Sequence, residues 1–191
     1  MENLNVMVVG VGGQGTLLTS RIIGKTALSA GYDVKLSEVH GMAQRGGSVV
    51  TFVRFGRDVK EPVVEEGNVD VLISFERMEA LRYAHFLKRE GKIVVNDCRI
   101  DPMTVVIGAS TYPENVIETL EKEHDVTAID GQKITKELGN SKVLNSVVLG
   151  VAAKFIGFTK DEWIDTVKKT VPPKTIEINE KAFLAGYESV K

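Results

Sequence analysis

The sequence predicts an α/β fold in three layers: a mixed, mostly parallel sheet with helices on both faces and a Rossmann-like start. Three observations carry this expectation. Short apolar runs, Val6-Met7-Val8-Val9 and Val69 to Phe75, read as strands buried on both faces. They alternate with helical patterns such as Thr16 to Ala30 and Lys142 to Ile156, as in a sheet built from βα units. The run Val49 to Phe55 follows the strand Asp33 to Leu36 with no helix between them, so an antiparallel or wide connection fits there better than a right-handed crossover.

In chain order, Leu4 to Val9 is the first strand, and a glycine turn leads into the helix Thr16 to Ala30, with Gly31 at a helix-ending position. After the strands Asp33 to Leu36 and Val49 to Phe55, the charged stretch Gly56 to Asn68 reads as surface loop or a short edge element. Val69 to Phe75 is a buried strand and Glu76 to Arg89 a helix with Met78, Leu81, Ala84 and Leu87 near one face. Ile93 to Val95 is the next strand, and Thr104 to Ile107 reads as a short one. Pro113 suits a first helical position for a helix ending near Glu123, and Val126 to Ile129 is a short strand. Lys142 to Ile156 carries an apolar arc wide enough for burial on more than one side. Lys160 to Lys169 is an amphipathic helix with Trp163 on its core side. Pro172-Pro173 ends it, and Thr175 to Tyr187 closes the chain as a helix or extension.

The length of 191 residues suits one domain, 1–191, and no repeat or linker divides it. Charged residues make up 26% and the net charge is −2, so nothing points to nucleic acid or an anionic membrane. No apolar run nears the roughly 18 residues of a membrane span, and the N-terminus lacks a signal peptide's basic flank and cleavage site, so a cytoplasmic location is expected. The only cysteine is Cys98. One thiol makes no intrachain disulfide, and an iron–sulfur cluster normally takes four cysteines. His40, His85 and His124 lack a zinc-like spacing. No metal site is expected here. Cys98 reads as a strand-end packing thiol, His85 as a helix-surface or packing residue and His124 as a helix-end cap.

Two glycine-rich turns, each at the carboxyl end of an expected strand, are the candidate working surface. The first, Gly10-Val-Gly12-Gly13-Gln14-Gly15, satisfies G-x-G-x-x-G between a strand and a helix, the context that dinucleotide binding requires. Glycines there let a phosphate approach the N–H groups of a helix N-terminus. Glu38 lies near where a ribose-binding acid would sit. Against this, the turn is dense in glycine, carries a long amide at its tip, and Glu38 belongs to a longer glycine-rich loop. The glycines could also serve only close helix–strand packing. The second turn, His40 to Gly47, sets His40, Gln44 and Arg45 among Gly41, Gly46 and Gly47. Such a loop presents a guanidinium and backbone donors to an anion, docks into another chain, or is simply solvated.

Taken together, Gly10-Val-Gly-Gly-Gln-Gly15 and Ser37-Glu-Val-His-Gly-Met-Ala-Gln-Arg-Gly-Gly-Ser48 resemble the gamma-type subunit of 2-oxoacid:ferredoxin oxidoreductases. Arg45-Gly46-Gly47 is the broader family's mark, and the lead-in His40 to Gln44 points to the indolepyruvate branch, to its beta subunit. Asn145-Ser-Val-Val-Leu-Gly150 and the segment Pro172 to Phe183 are similar to further stretches of that family, so the resemblance spans nearly the whole chain.

The resemblance implies an oxidative decarboxylation: a 2-oxoacid, coenzyme A and oxidised ferredoxin give acyl-CoA, carbon dioxide and reduced ferredoxin. It implies thiamine diphosphate and iron–sulfur clusters on a larger partner subunit, with coenzyme A as co-substrate and ferredoxin met through the complex. With one cysteine and no Gly-Asp-Gly thiamine motif, this chain is expected to hold neither group and to be inactive alone. No catalytic residue is assigned to it. The expected roles are backbone donation by Gly12, Gly13, Gln14 and Gly15 toward the coenzyme A phosphate region or the partner chain. Arg45, Gly46 and Gly47 would line the same cleft, and His40 would orient the loop. Gamma subunits of pyruvate or 2-oxoglutarate enzymes, a stand-alone dinucleotide-binding oxidoreductase and a nucleotide-sensing module are the alternatives.

Overall fold

The structure, a computed structural model, describes residues 3–41 and 46–190. Six strands, β1 (Leu4–Val11), β2 (Asp33–His40), β3 (Ser48–Gly56), β4 (Val69–Ser74), β5 (Leu87–Asn96) and β6 (Asp125–Ile129), form one sheet ordered β2-β3-β1-β4-β5-β6. β3 is antiparallel to β1 and to β2, whereas β1, β4, β5 and β6 run parallel. The expected mixed, mostly parallel sheet is therefore present, with β3 wedged between the two strands of the first βα unit. The helices are α1 (Thr16–Ser29), α2 (Arg77–Tyr83), α3 (Met103–Val106), α4 (Val116–Glu121), α5 (Gly131–Glu137), α6 (Leu144–Ala153), α7 (Lys160–Thr170) and α8 (Ile176–Glu188).

Alternation along β1 and β3 divides the core into two. Val6, Val8, Val53 and Phe55 face α1, α6, α7 and α8, where Ile22, Val147, Val151, Trp163 and Phe183 pack. Met7, Val9, Val50 and Phe52 face the opposite way, toward Ala80, Val116 and Leu120 of α2 and α4. Trp163 is fully buried, edge-on to Phe158 with ring centroids 5.6 Å apart. Helices thus cover both faces, as a mostly parallel sheet requires.

Four local expectations are corrected. The helix expected to reach Arg89 ends at Tyr83, and a 3-10 turn at Ala84–Phe86 leads into β5 at Leu87. Leu87 pairs with Val69, and the register then shifts before Val71 meets Lys92, so ladder bonds to β4 outweigh the helical pattern of Leu81, Ala84 and Leu87. Thr104 to Ile107 forms no strand; α3 occupies it, and the N–H groups of Val105 and Val106 donate back to the Pro102 carbonyl. Pro113 lies ahead of its helix, which starts at Val116 after Asn115 adopts a left-handed φ of 51°. α5 was not anticipated; Asp130 caps it by accepting from the Lys133 N–H at 2.9 Å.

Candidate functional site

The carboxyl edge of the sheet gathers both glycine turns. β1 ends at Gly10-Val11 opposite Val49 and Ser48, and β2 ends with His40 opposite Val49. On the α1 side of this edge lies a cleft of about 390 Å³, lined by Gly12, Gly13, Gly15, Thr16, Leu17, Glu38, His40 and Val49. The structure therefore brings together Gly12, Gly13, Gly15, Glu38 and His40. Glu38 points along the sheet to Thr51, whose hydroxyl donates to it at 3.5 Å. His40 is exposed, with Nδ1 3.0 Å from the Gly41 carbonyl. Gln44 and Arg45 lie outside the described residues.

Two of the expected outward donors are already occupied. The Gly12 N–H donates to the Gly47 carbonyl at 2.9 Å, and the Gln14 N–H to the Val11 carbonyl at 3.1 Å. Among the described residues, the N–H groups of Gly13, Gly15, Thr16 and Leu17 meet no backbone acceptor, as expected of a helix's first turn. Gly15, at φ +90°, is the N-cap of α1, and the dipole of this 14-residue helix adds positive potential there.

Gln14 does not stand at the tip of the turn. Its side chain folds inward, accepting from the Val11 N–H at 2.7 Å and donating to the Phe75 carbonyl at 3.0 Å. Asn96 donates to that same carbonyl at 3.2 Å and accepts from the Gly131 N–H at 3.0 Å. Two carboxamides thus tie the ends of β1, β4 and β5 to the start of α5. The strand order reverses direction between β1 and β4, which is where a dinucleotide fold opens its crevice. Here Gln14 closes it, and Gly10 lies directly beneath, where a Cβ would come within 2.9 Å of Gln14 Oε1. The open cleft lies instead beside β3.

Gly46 reaches the other face of the sheet rather than lining this cleft, whereas Gly47 is joined to the cleft wall through Gly12. Gly46 borders a small cavity of about 70 Å³ with Ser48, Glu76, Glu79, Arg82 and Pro102. The Ser48 hydroxyl donates to the buried Glu79 carboxylate, which also pairs with Arg82 at 3.2 Å. Nearby, fully buried Glu76 accepts from Tyr112, from the Ile100 N–H at 3.1 Å and from the Glu79 N–H at 3.0 Å. Burial, then the bond to Glu76, pushes the Tyr112 hydroxyl far above its ordinary pKa, so Tyr112 stays a neutral donor. These anchors belong to the sequence's missed residues: single polar positions in apolar surroundings carry no periodic signal.

A second, polar cleft of about 410 Å³ lies along Arg77, Asp97, Arg99, Tyr112 and α4. Its cations are engaged within the chain: Arg77 with Asp97, and Arg99 with Asp101 at 2.6 Å while stacked 4.4 Å over Tyr112. Cys98, beside it, is partly buried, and desolvation raises its pKa, so it is a poor nucleophile. Among the described residues no three His, Cys, Asp or Glu side chains gather as a metal site, and no helix is long and apolar enough to cross a membrane. His85 is half-exposed beside Phe86 and 3.5 Å from Glu66, a surface role as expected.

Residues 5–189 match the pyruvate ferredoxin/flavodoxin oxidoreductase family. The chain belongs to that family. Among its relatives, the indolepyruvate oxidoreductase subunit IorB of Thermococcus kodakarensis is 41% identical, with 100% of this chain and 98% of the relative covered. The IorB subunit of Archaeoglobus fulgidus is 40% identical over 96% of this chain and 94% of its own length. A solved keto/oxoacid ferredoxin oxidoreductase gamma subunit from Geobacter sulfurreducens shares the fold at a TM-score of 0.72 and 24% identity, covering 97% of this chain and 96% of that one. The family membership and the α/β architecture agree with the sequence resemblance, and the chain is a subunit of a ferredoxin-linked oxidoreductase of this class.

Proposed function

We propose that this chain is the small subunit of an indolepyruvate:ferredoxin oxidoreductase and that its cleft beside β3 contacts coenzyme A in the assembled enzyme. The full-length identity of 41% to IorB subunits carries the reading. By contrast, relatives named for pyruvate/ketoisovalerate or 2-oxoglutarate enzymes are 26% to 29% identical, which favours the indolepyruvate branch over its alternatives. The reaction is the oxidative decarboxylation of an aryl-pyruvate with coenzyme A to acyl-CoA and carbon dioxide, with electrons passed to ferredoxin.

The residues present do not fit an iron–sulfur cluster: the thiolate set is Cys98 alone, and it is held protonated by burial. A larger subunit is therefore the place for clusters and for thiamine diphosphate, and no step of their chemistry is assigned to this chain. What the chain offers is a donor-rich rim at the start of α1, suited to a phosphate, and acceptors at Glu38 and His40 across the cleft. The closure of the switch-point crevice by Gln14 disfavours a stand-alone dinucleotide enzyme.

The test is anaerobic co-expression with candidate larger subunits. Co-purification of a thiamine- and cluster-bearing chain, with dye reduction dependent on both indolepyruvate and coenzyme A, is the expected result. A lone protein carrying a bound nucleotide would overturn it. With Arg45→Ala in the complex, a raised KM for coenzyme A with assembly intact supports coenzyme A contact, whereas lost assembly assigns the second glycine loop to docking.

A further inference from the structure

α3 turns its apolar side chains to solvent. Met103 and Val106, with Ile107 just after the helix, are 70%, 67% and 68% exposed, while Val105 alone leans on the core. Their i, i+3 and i+4 spacing sets the three on one face. Single exposed apolar residues are ordinary, whereas a contiguous group marks a contact. The stretch from Pro102 to Pro113 also carries no charged residue, in a chain that is 26% charged.

The segment is held at both ends by one group. At its start the Ile100 N–H donates to the fully buried Glu76 carboxylate at 3.1 Å, and at its end the Tyr112 hydroxyl donates to the same carboxylate. Tyr112 accepts in turn from the Met78 N–H at 3.1 Å, which ties this end to α2. Between them, Val105 and Val106 donate to the Pro102 carbonyl at 2.9 and 3.0 Å, and Ala109 and Ser110 to that of Thr104 at 2.8 and 3.0 Å. The exposed face is therefore ordered before any partner arrives, so docking loses little conformational entropy.

Its surroundings extend the face. On one flank Ile100 and Pro102 share a small cavity with Gly46, Ser48 and Arg82, so the apolar spot runs on into the second glycine turn. On the other, Arg99 paired with Asp101, Arg77 paired with Asp97, and Glu114 and Glu118 make a charged rim. An uncharged centre that includes methionine, inside a polar rim, is the anatomy of a protein–protein interface. Size decides between occupants. The three side chains together expose a few hundred Å². Two copies meeting through them alone would bury roughly twice that, short of the about 1,200–2,000 Å² of a stable interface. The face suits one anchoring spot within a wider contact, such as a small subunit makes with a larger one.

We propose that Met103, Val106 and Ile107 form an anchor that docks into an apolar socket on the larger subunit of the oxidoreductase. That this subunit is the thiamine- and cluster-bearing chain rests on the function proposed above.

The test mixes the full chain with the separately purified larger subunit under anaerobic conditions and reads assembly by sedimentation. Val106→Asp and Ile107→Asp each bring an unpaired charge into the socket, and at least about thirtyfold weaker assembly is expected. Leu28→Asp, at another exposed apolar position on α1, is expected to assemble as wild type. In the wild-type complex, the amides of Thr104 to Ser110 are expected to exchange more slowly than in the free chain. That measurement needs no variant and decides the matter if an aspartate variant fails to fold. Wild-type assembly by both aspartate variants, or equal exchange at Thr104 to Ser110 in complex and free chain, overturns this surface and leaves the proposed function standing. A free chain that is dimeric, and that Val106→Asp makes monomeric without weakening assembly, assigns the face to a second copy and overturns the proposal. A wild-type chain that binds no thiamine- and cluster-bearing subunit overturns both readings.

Discussion

Gly12 donates its N–H to the carbonyl of Gly47 at 2.9 Å, so the two glycine turns, far apart in sequence, are hydrogen-bonded to each other. The bond extends the β1–β3 ladder one step past Val11 and Ser48. It makes the turns one surface, whose two sides are held by different anchors: Gln14 on the β4 side and Glu79 beneath Ser48.

The Gln14 staple is the first of these to test. Gln14→Ala strips the Val11 N–H of its acceptor and the Phe75 carbonyl of one of its two donors. A loss of about 1–3 kcal/mol in urea unfolding is expected, with an unchanged m-value. Wild-type stability in that variant would show that water replaces the amide without cost.

Ser48→Ala removes the hydroxyl that donates to buried Glu79 while leaving the Glu79–Arg82 pair in place. Stability falls by about 1–2 kcal/mol. Amide exchange accelerates at Gly46 to Val49 ahead of the rest of β3, because the root of the second loop loses its tie to α2. Uniform acceleration across the sheet would argue against a local anchor.

α6 and α8 cross at two glycines. A Cβ at Gly186 would lie 2.0 Å from the Val147 carbonyl oxygen, and one at Gly150 would lie 2.1 Å from that of Phe183. Backbone rather than a flexible side chain fills both spaces, so the helices must separate. Gly186→Ala is expected to cost about 3 kcal/mol or more and to expose Trp163, which packs on Phe183. As the chain's only tryptophan, it reports this as a red shift in fluorescence; unchanged emission and stability would contradict the close crossing.

α7 opens with a capping box in which Thr159 and Glu162 bond reciprocally, the Thr159 N–H and hydroxyl each 2.7 Å from the carboxylate. These bonds hold the Glu162 pKa below its ordinary 4.5. A depressed pKa contributes stability above 4.5 and loses it as pH falls through the lower folded value. Glu162→Gln should therefore narrow the gap to wild type as pH drops below 4.5, read by thermal melts across that range. A gap independent of pH would remove the carboxylate from the account.

Much of the architecture was legible beforehand because it rests on local periodicity. Val6 to Val9 and Val69 to Phe75 had to be buried strands, and the missing helix before Val49 announced the antiparallel β3. Thr104 to Ile107 misled because its β-branched residues favour a strand, whereas the local bonds of Val105 and Val106 to the Pro102 carbonyl turn the segment into a short exposed helix. Leu87 misled because its partner, Val69, lies outside any local window. The site was legible only in part: Gly12, Gly13, Gly15, Glu38 and His40 share a cleft as expected, but Gln14 turned inward and Gly46 faces the opposite side of the sheet.

By itself, the sequence determined the βα order, the buried strands, the placement of two glycine turns at strand ends, the poverty in metal ligands and the family resemblance, since each follows from residue type and near-neighbour spacing. Tertiary structure alone decided where the working cleft opens. Gln14 meets Phe75 and Asn96 meets Phe75 and Gly131 only once the sheet is assembled, and each pairing satisfies a polar group that would otherwise be buried without a partner. That requirement closes the crevice between β1 and β4 and leaves the space beside β3 open.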